Sequence, residues 1–463
     1  MTTTAMTGAP AHEEKHPKGL YVLFATEMWE RFSFYSMLAM FALYLRDTTG
    51  QGFAWSVDSA TTLYANYMMF VYASPLIGGW LADRKLGYRK AVMIGGVFFM
   101  AGHLLLSVRS IPMVYLALTC LVIGNGFFKP NVSAMVGNLY SEGSHLKDRA
   151  YNIFYMGINV GAFLAPIVAE IVQRNWGFHP AFAVAAGGMA ISVFILWKFK
   201  RFIEDANRPA NVSADERADS AAVTVDAPPA SVSQQSAADL SRQNTMDAVP
   251  EWKRIGALIV VFLIVIVFWM VFHQNGSTLT FWANDNTAWN ASGIISIALN
   301  AGWVIVLTFP LVAFWRWLDR KGLEPSTPTK MAFGMMLTGL SFFILFIAAK
   351  VGEATVTGGD PYAFKVSPTW LIGAYGVLTL GELMLSPMGL SLVSKVAPIR
   401  FRGVMMGGWF VATAIGNKLT QIGELWDDWL HSTFWLTLSG AALLMAIVLL
   451  VLLRPLKKAM PGV

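Results

Sequence analysis

Charged residues are scarce: Asp, Glu, Lys and Arg make up 13% of the 463 residues, against roughly 25% in soluble domains. So low a density excludes a chain that meets water on every side. Cysteine is nearly absent. Cys120 stands alone in an apolar run, so neither an internal disulfide nor a cysteine metal cluster can form. The seven histidines (His12, His16, His103, His145, His179, His273 and His431) are scattered without metal-ligand spacing. No G-x-x-x-x-G-K-S/T loop is present, which removes ATP bound by this chain as an energy source. Neither enzymatic chemistry nor a metal or other cofactor is expected. The first nineteen residues are polar, so no cleavable signal peptide is expected and the first apolar run stays in the protein.

What the chain does have is apolar length. Hydrophobic residues make up 55% of it and its mean hydropathy is +0.52. Runs of about twenty apolar residues, enough to cross a hydrocarbon core roughly 30 Å thick, recur almost throughout. They predict an all-α polytopic membrane protein with spans at 20–45, 60–82, 90–108, 112–138, 150–173 and 179–199, then at 255–283, 291–318, 329–350, 368–394, 401–423 and 432–453. Twelve transmembrane helices thus fall into two six-helix halves, 20–200 and 251–455. Tails at 1–19 and 456–463 flank them. A linker at 201–250, rich in Ala, Ser, Asp and Pro, is expected to be flexible. If the amino terminus is cytoplasmic, 26 of the 34 Lys and Arg lie in cytoplasmic segments and five in external loops (Arg46, Arg109, Arg174, Lys350, Lys365). Positive-inside bias then places both termini in the cytoplasm, with the protein in a bacterial inner membrane among its lipids. The formal charge of +6 is accounted for by these loops, so nucleic acid is not an expected partner.

The halves share a signature. Trp80-Leu81-Ala82-Asp83-Arg84-Lys85 follows span 2 and Trp317-Leu318-Asp319-Arg320-Lys321 follows span 8, about 236 residues later. Two joined six-helix halves are the plan of the major facilitator superfamily, and Gly78 to Gly87 resembles its cytoplasmic loop motif. Asp83 and Arg84 would serve gating, and a substrate site would lie between the halves near the midplane.

A charge at the centre of a spanning helix costs at least about 2.5–3.5 kcal/mol, so each one implies a polar cavity or a partner. Span 1 holds Glu27, Glu30 and Arg31, whose spacings of three and four gather them on one face and let Glu27 reach Arg31. One carboxylate paired with Arg31 stays ionised; the second, in a dry site, can carry a proton. Lys129 follows Gly124-Asn125-Gly126 and precedes Pro130, and Glu382 lies just before Ser386-Pro387. Bases from one half and an acid from the other suit a zwitterion. Lys418, towards the end of span 11, reads as a side chain snorkelling to the interface. His103 reads as a packed core histidine.

Glu27-Met28-Trp29-Glu30-Arg31-Phe32-Ser33-Phe34-Tyr35 resembles the E-x-x-E-R-F-x-Y-Y signature of the proton-dependent oligopeptide transporter (POT) family. The resemblance continues through Phe127-Phe128-Lys129-Pro130-Asn131, Phe154 to Gly161, Phe268-Trp269 with Gln274, Gly381-Glu382 with Ser386-Pro387, and Gly408-Trp409-Phe410. It implies di- and tripeptides as substrates. Arg31, Tyr35 and Lys129 would stand near the peptide carboxylate, and Asn159, Asn300 and Glu382 near its amino end, with Ser386 beside Glu382. Tyr72, Trp269 and Trp409 would line side-chain pockets, and Glu27, Glu30, Arg31 and His273 would couple protons. Three departures stand out. Phe34 replaces a tyrosine, His273 replaces a glutamate common before Gln274, and 201–250 is too short and polar to supply the two extra helices of many bacterial relatives. A neutral His273 imidazole can accept from Lys129, whereas an imidazolium would repel it.

The expected function is proton-driven import of small peptides by a monomer through alternating access of its halves. A symporter of nitrate or another small organic anion, or a proton-driven drug exporter, would use the same fold. Glu382 opposes the anion reading, and the paired cations of spans 1 and 4 oppose the exporter.

Overall fold

The computed structural model describes residues 16–140, 146–204, 206, 246, 248–398 and 401–461. Six long helices precede the linker: α1 (Lys18–Arg46), α2 (Val57–Leu81), α3 (Tyr88–Leu106), α4 (Ile111–Asn138), α5 (Leu146–Trp176) and α6 (Phe178–Lys198). Six follow it: α7 (Glu251–Phe272), α8 (Ser296–Arg320), α9 (Thr327–Glu353), α10 (Pro368–Val396), α11 (Arg402–Leu419) and α12 (His431–Ala459). Eleven of the twelve predicted spans coincide with these helices to within a few residues. Most of the expected linker, and the first fifteen residues of the amino-terminal tail, lie outside the described residues. No strand occurs among the described residues; an isolated bridge joins Thr287 and Val366.

Nine of the described helical segments are long and apolar enough to cross a membrane on length and hydropathy alone. α1 is not among them, because Glu27, Glu30 and Arg31 lower its hydropathy. Helix starts follow their capping signals. The Ser56 hydroxyl accepts from the Ser59 amide ahead of α2, and Ser367 does the same for Thr369 ahead of α10, where Pro368 takes the first helical position.

Span 7 differs from the expectation. Its helix stops at Phe272, passes through a 3-10 turn at His273–Gly276, and resumes as a short helix, Thr278–Asp285. The Gln274 carboxamide holds this break together: its oxygen accepts from Ser277 and Thr278, and its nitrogen donates to the carbonyls of Met270 and Thr420.

Within the first half α1 packs on α5 and α6, and α4 on α2 and α3; within the second, α9 packs on α10 and α12, and α7 on α11. The halves meet along two seams, α2 against α11 and α5 against α8. These seams exchange under the repeat that relates α2 to α8 and α5 to α11. α8 is buried only at the end of the bundle remote from the termini, and so is α2 apart from its close approach to Gly126 of α4 at Gly78. Burial in α8 stops at Val304, and in α2 at Val71 apart from Gly78. At that remote end Arg46 pairs with Asp285 at 3.3 Å and lies over the Phe281 ring, Arg174 donates to the Asn290 carbonyl at 2.7 Å, and Glu170 accepts from the amide and hydroxyl of Ser292. The halves are therefore drawn together there.

Candidate functional site

The α1 motif is clamped from behind. A Cβ at Gly161 of α5 would come within 2.2 Å of the Met28 carbonyl oxygen and 3.1 Å of the Arg31 Cβ. Only glycine permits that approach, and it fixes the rotation of α1 about its axis. Arg31 then forks onto Glu30, with Nε 2.5 Å from Oε2 and Nη2 2.8 Å from Oε1, while Glu27 Oε1 stands 3.3 Å from Nε. All three are buried; Arg31 is 1% exposed. The four-residue spacing singles out Glu27 as the partner of Arg31, but the two-pronged, shorter contact belongs to adjacent Glu30. Bidentate guanidinium–carboxylate pairing is the stronger geometry, so Glu30 is the principal partner and Glu27 sits beside an already engaged cation.

Arg31 also borders a cavity between the halves, lined by Arg31, Phe34, Val71, Tyr72, Pro75, Asn125, Lys129 and Phe410. The Phe34 ring lies 5.1 Å from the guanidinium and edge-on to Tyr35. Phe34, without a hydroxyl, still turns its ring towards the cation. Lys129 lies 5.2 Å over the Tyr72 ring, and the Tyr72 hydroxyl is 3.3 Å from His273 Nε2. Tyr72 of the first half therefore links Lys129 to His273 of the second. The other imidazole nitrogen, Nδ1, is 3.2 Å from the Trp269 carbonyl. A carbonyl only accepts, so Nδ1 carries a proton. Nε2 of the neutral ring accepts from Tyr72, and in the imidazolium it donates instead. The bond survives protonation with its direction reversed.

The predicted acid of the second half has its own setting. Asn300 of α8 donates to Glu382 Oε2 at 2.9 Å and to the Thr379 hydroxyl at 3.1 Å. Asn300 and Glu382 thus stand side by side in the second half.

Other expected site residues are not presented to the cavity. Asn159 donates to the Tyr155 carbonyl of its own helix at 2.9 Å. Trp409 is 1% exposed, its ring against Phe262 and over Gly389, and adjacent Phe410 lines the cavity instead. Trp269 is buried under the stacked His273 ring, and Ser386 is buried in α10. Asp83 and Arg84 lie in a π-helical turn, Ala82–Leu86, with the Arg84 guanidinium 4.9 Å over the Trp80 ring. Lys418 does not snorkel. Its ammonium crosses between the halves to Asn66 Oδ1 at 2.6 Å, because the end of α11 lies against α2 rather than lipid. Asn125 escapes the sequence reading as a site residue, although it lines the cavity and ties α4 to α2 by donating to the Val71 carbonyl at 2.7 Å. An amide in the middle of an apolar span between two glycines is the available signal.

Comparison with known proteins agrees with the architecture. The profile of the POT family (PTR2) matches residues 89–424. The chain is 31% identical to the uncharacterized transporter YclF of Bacillus subtilis (strain 168), over 97% of this chain and 96% of that one. It is 30% identical to a di-/tripeptide transporter of Lactococcus lactis subsp. lactis (strain IL1403), over 96% and 97%. A crystal structure of a peptide transporter POT in complex with sulfate superposes with a TM-score of 0.83 at 29% identity, covering 97% of both chains. Twelve long helices in two halves among the described residues, a buried Glu-Glu-Arg motif beside an interhalf cavity, and a family match over most of its length make this chain an integral membrane protein of the POT family.

Proposed function

We propose that this chain is a proton-coupled symporter that imports di- and tripeptides by alternating access. The observation that carries the reading is the buried Arg31 fork, which borders the cavity while two carboxylates contend for it. A substrate carboxylate entering between Arg31 and Lys129 competes with Glu30 and Glu27 for the guanidinium. Protonation of one acid weakens that competition, and loss of the proton restores it and expels the substrate. Glu382, oriented by Asn300, supplies the opposite charge for a peptide ammonium. It disfavours a bare anion such as nitrate, which brings no cation to meet it.

The remote end of the bundle is taken as the external face and both termini as cytoplasmic, by the distribution of Lys and Arg. The arrangement is then one closed to the outside, in a monomer in the bacterial inner membrane.

Reconstituted vesicles with an imposed proton gradient test this. Labelled dialanine should accumulate, and Glu27→Gln and Glu30→Gln should abolish gradient-driven accumulation while peptide counterflow persists in at least one of them. If both variants accumulate dialanine like the parent, with normal counterflow, the coupling scheme is wrong. Competition by dialanine but not by nitrate or hydrophobic cations separates the peptide reading from the anion and drug readings.

A further inference from the structure

Asn125 borders the cavity yet has no part in the proposed coupling. Its role follows from a proline on the neighbouring helix. Pro75 lies inside α2 and has no amide hydrogen, so the Val71 carbonyl four residues earlier loses the backbone donor that a regular helix supplies. In a membrane interior no bulk water replaces that donor, and a freed carbonyl must find a partner within the protein. Asn125 Nδ2, from α4, donates to it at 2.7 Å. Ser74 Oγ reaches the same carbonyl at 3.1 Å, but from within α2, so it ties nothing to α4. Asn125 is 2% exposed, and its donated bond is the one that crosses between the helices at this point.

The relation also runs the other way. Pro130, inside α4, frees the Gly126 carbonyl, and Gly78 of α2 meets it so closely that a Cβ there would stand 1.9 Å from the oxygen. A Cβ at Gly126 would in turn come within 2.9 Å of the Ser74 carbonyl oxygen. Each helix thus carries a proline, and the carbonyl that each proline frees is met by the other helix, with small residues letting the backbones touch. This clasp adjoins the groups that face the cavity. Tyr72 follows Val71, and Lys129 stands one turn after Asn125 on α4. The Lys129 ammonium lies 5.2 Å over the Tyr72 ring, and the Tyr72 hydroxyl is 3.3 Å from His273 Nε2 of the second half. Both contacts depend on where α2 bends relative to α4, and Asn125 bonds the bend itself.

We propose that Asn125 is a positioning residue for transport: by supplying the donor that Pro75 removes, it sets the bend of α2 and keeps Tyr72 between Lys129 and His273. It acts through Tyr72 and Lys129 rather than on the cargo. The effect on uptake rests on the peptide reading; the placement of Tyr72 does not. A direct amide contact with the substrate is the competing role, and the two roles respond differently to a change at Pro75.

The test pairs a loss with its repair. Asn125→Leu keeps the size of the side chain and removes its donor, and adding Pro75→Ala returns a backbone N–H to the Val71 carbonyl. In reconstituted vesicles Asn125→Leu should raise the KM for dialanine about tenfold, as one lost hydrogen bond that strands a buried acceptor would, with little change in maximal rate per folded protein. The double variant should recover most of that loss. A double variant as impaired as Asn125→Leu overturns the proposal, because the amide then serves the substrate itself. Crystal structures of both variants read the placement without any cargo. The Tyr72 ring should leave Lys129 in Asn125→Leu and return in the double variant, and a Tyr72 unmoved by Asn125→Leu also overturns the proposal. If Asn125→Leu does not fold, Asn125→Ser, small enough to sit between Gly124 and Gly126 and too short to span to Val71, takes its place in both measurements with the same expected results. A parent that takes up no dialanine, with Tyr72 displaced and restored as described, leaves the positioning role standing and defeats the peptide reading.

Discussion

Substituting Gly276 by alanine should hold the remote end of the protein open. Gly276 closes the 3-10 turn that breaks α7, and from the other half Tyr64 of α2 presses against it. An added Cβ would lie 1.9 Å from the Tyr64 hydroxyl oxygen and 2.7 Å from its Cζ. Ordinary contact begins near 3.4 Å, so about 1.5 Å of separation is missing, and overpacking of this kind costs about 1–3 kcal/mol. Tyr64 is fully buried and Gly276 is fixed through the Gln274 network, so neither side yields cheaply. Parting the halves at that end removes the contact altogether. The whole cost therefore falls on the closed state and moves the equilibrium by about 5- to 150-fold. Distances between remote-end labels should lengthen in Gly276→Ala, and Tyr64→Phe, which removes the nearest atom, should return part of the closed population. A closed population equal to that of the parent in Gly276→Ala would show that the turn relaxes locally and that this contact does not set closure.

Arg31→Lys keeps the charge but loses the second prong on Glu30; at about 1.5–3 kcal/mol for a charge-assisted hydrogen bond, gradient-driven dialanine uptake should fall roughly ten- to hundredfold. His273→Gln retains a hydrogen-bonding partner for Tyr72 but cannot titrate, so the pH profile of uptake should flatten; an unchanged profile would remove His273 from the proton step. Glu382→Gln leaves Asn300 an oxygen to donate to but removes the charge. The KM for dialanine should rise about tenfold, a loss of about 1.4 kcal/mol, while inhibition by N-acetylated dialanine, which has no ammonium, should not weaken.

The twelve helices were legible because apolar length is written directly in the sequence, and the α1 motif because three charges in one apolar run demand an explanation. The partner of Arg31 was not. Four-residue spacing describes any helix, whereas the fork onto Glu30 is a side-chain arrangement between adjacent residues that spacing does not reveal. The break at His273–Gly276 was hidden for a related reason: the Asn-Gly-Ser stretch in an apolar span is held as a turn by Gln274, whose partner Thr420 lies just beyond α11 in the fold and far away in the sequence. Lys418 misled because its position near a span end is the usual place for snorkelling, and nothing local shows that α2 covers it. The aromatics divided likewise. Tyr72 lines the cavity and Trp409 does not, a matter of which face of α2 and α11 turns inward, which residue type alone does not tell.

Arg31 and Glu30 are consecutive residues of one helix, so rocking the halves cannot pull them apart. On the proposed function, a peptide carboxylate would instead displace a rival tethered one residue away, whose effective concentration is set by chain geometry and does not fall when peptide is scarce. Such a competitor keeps occupancy weak and release fast, suiting a carrier that turns over in abundant substrate more than one that scavenges traces.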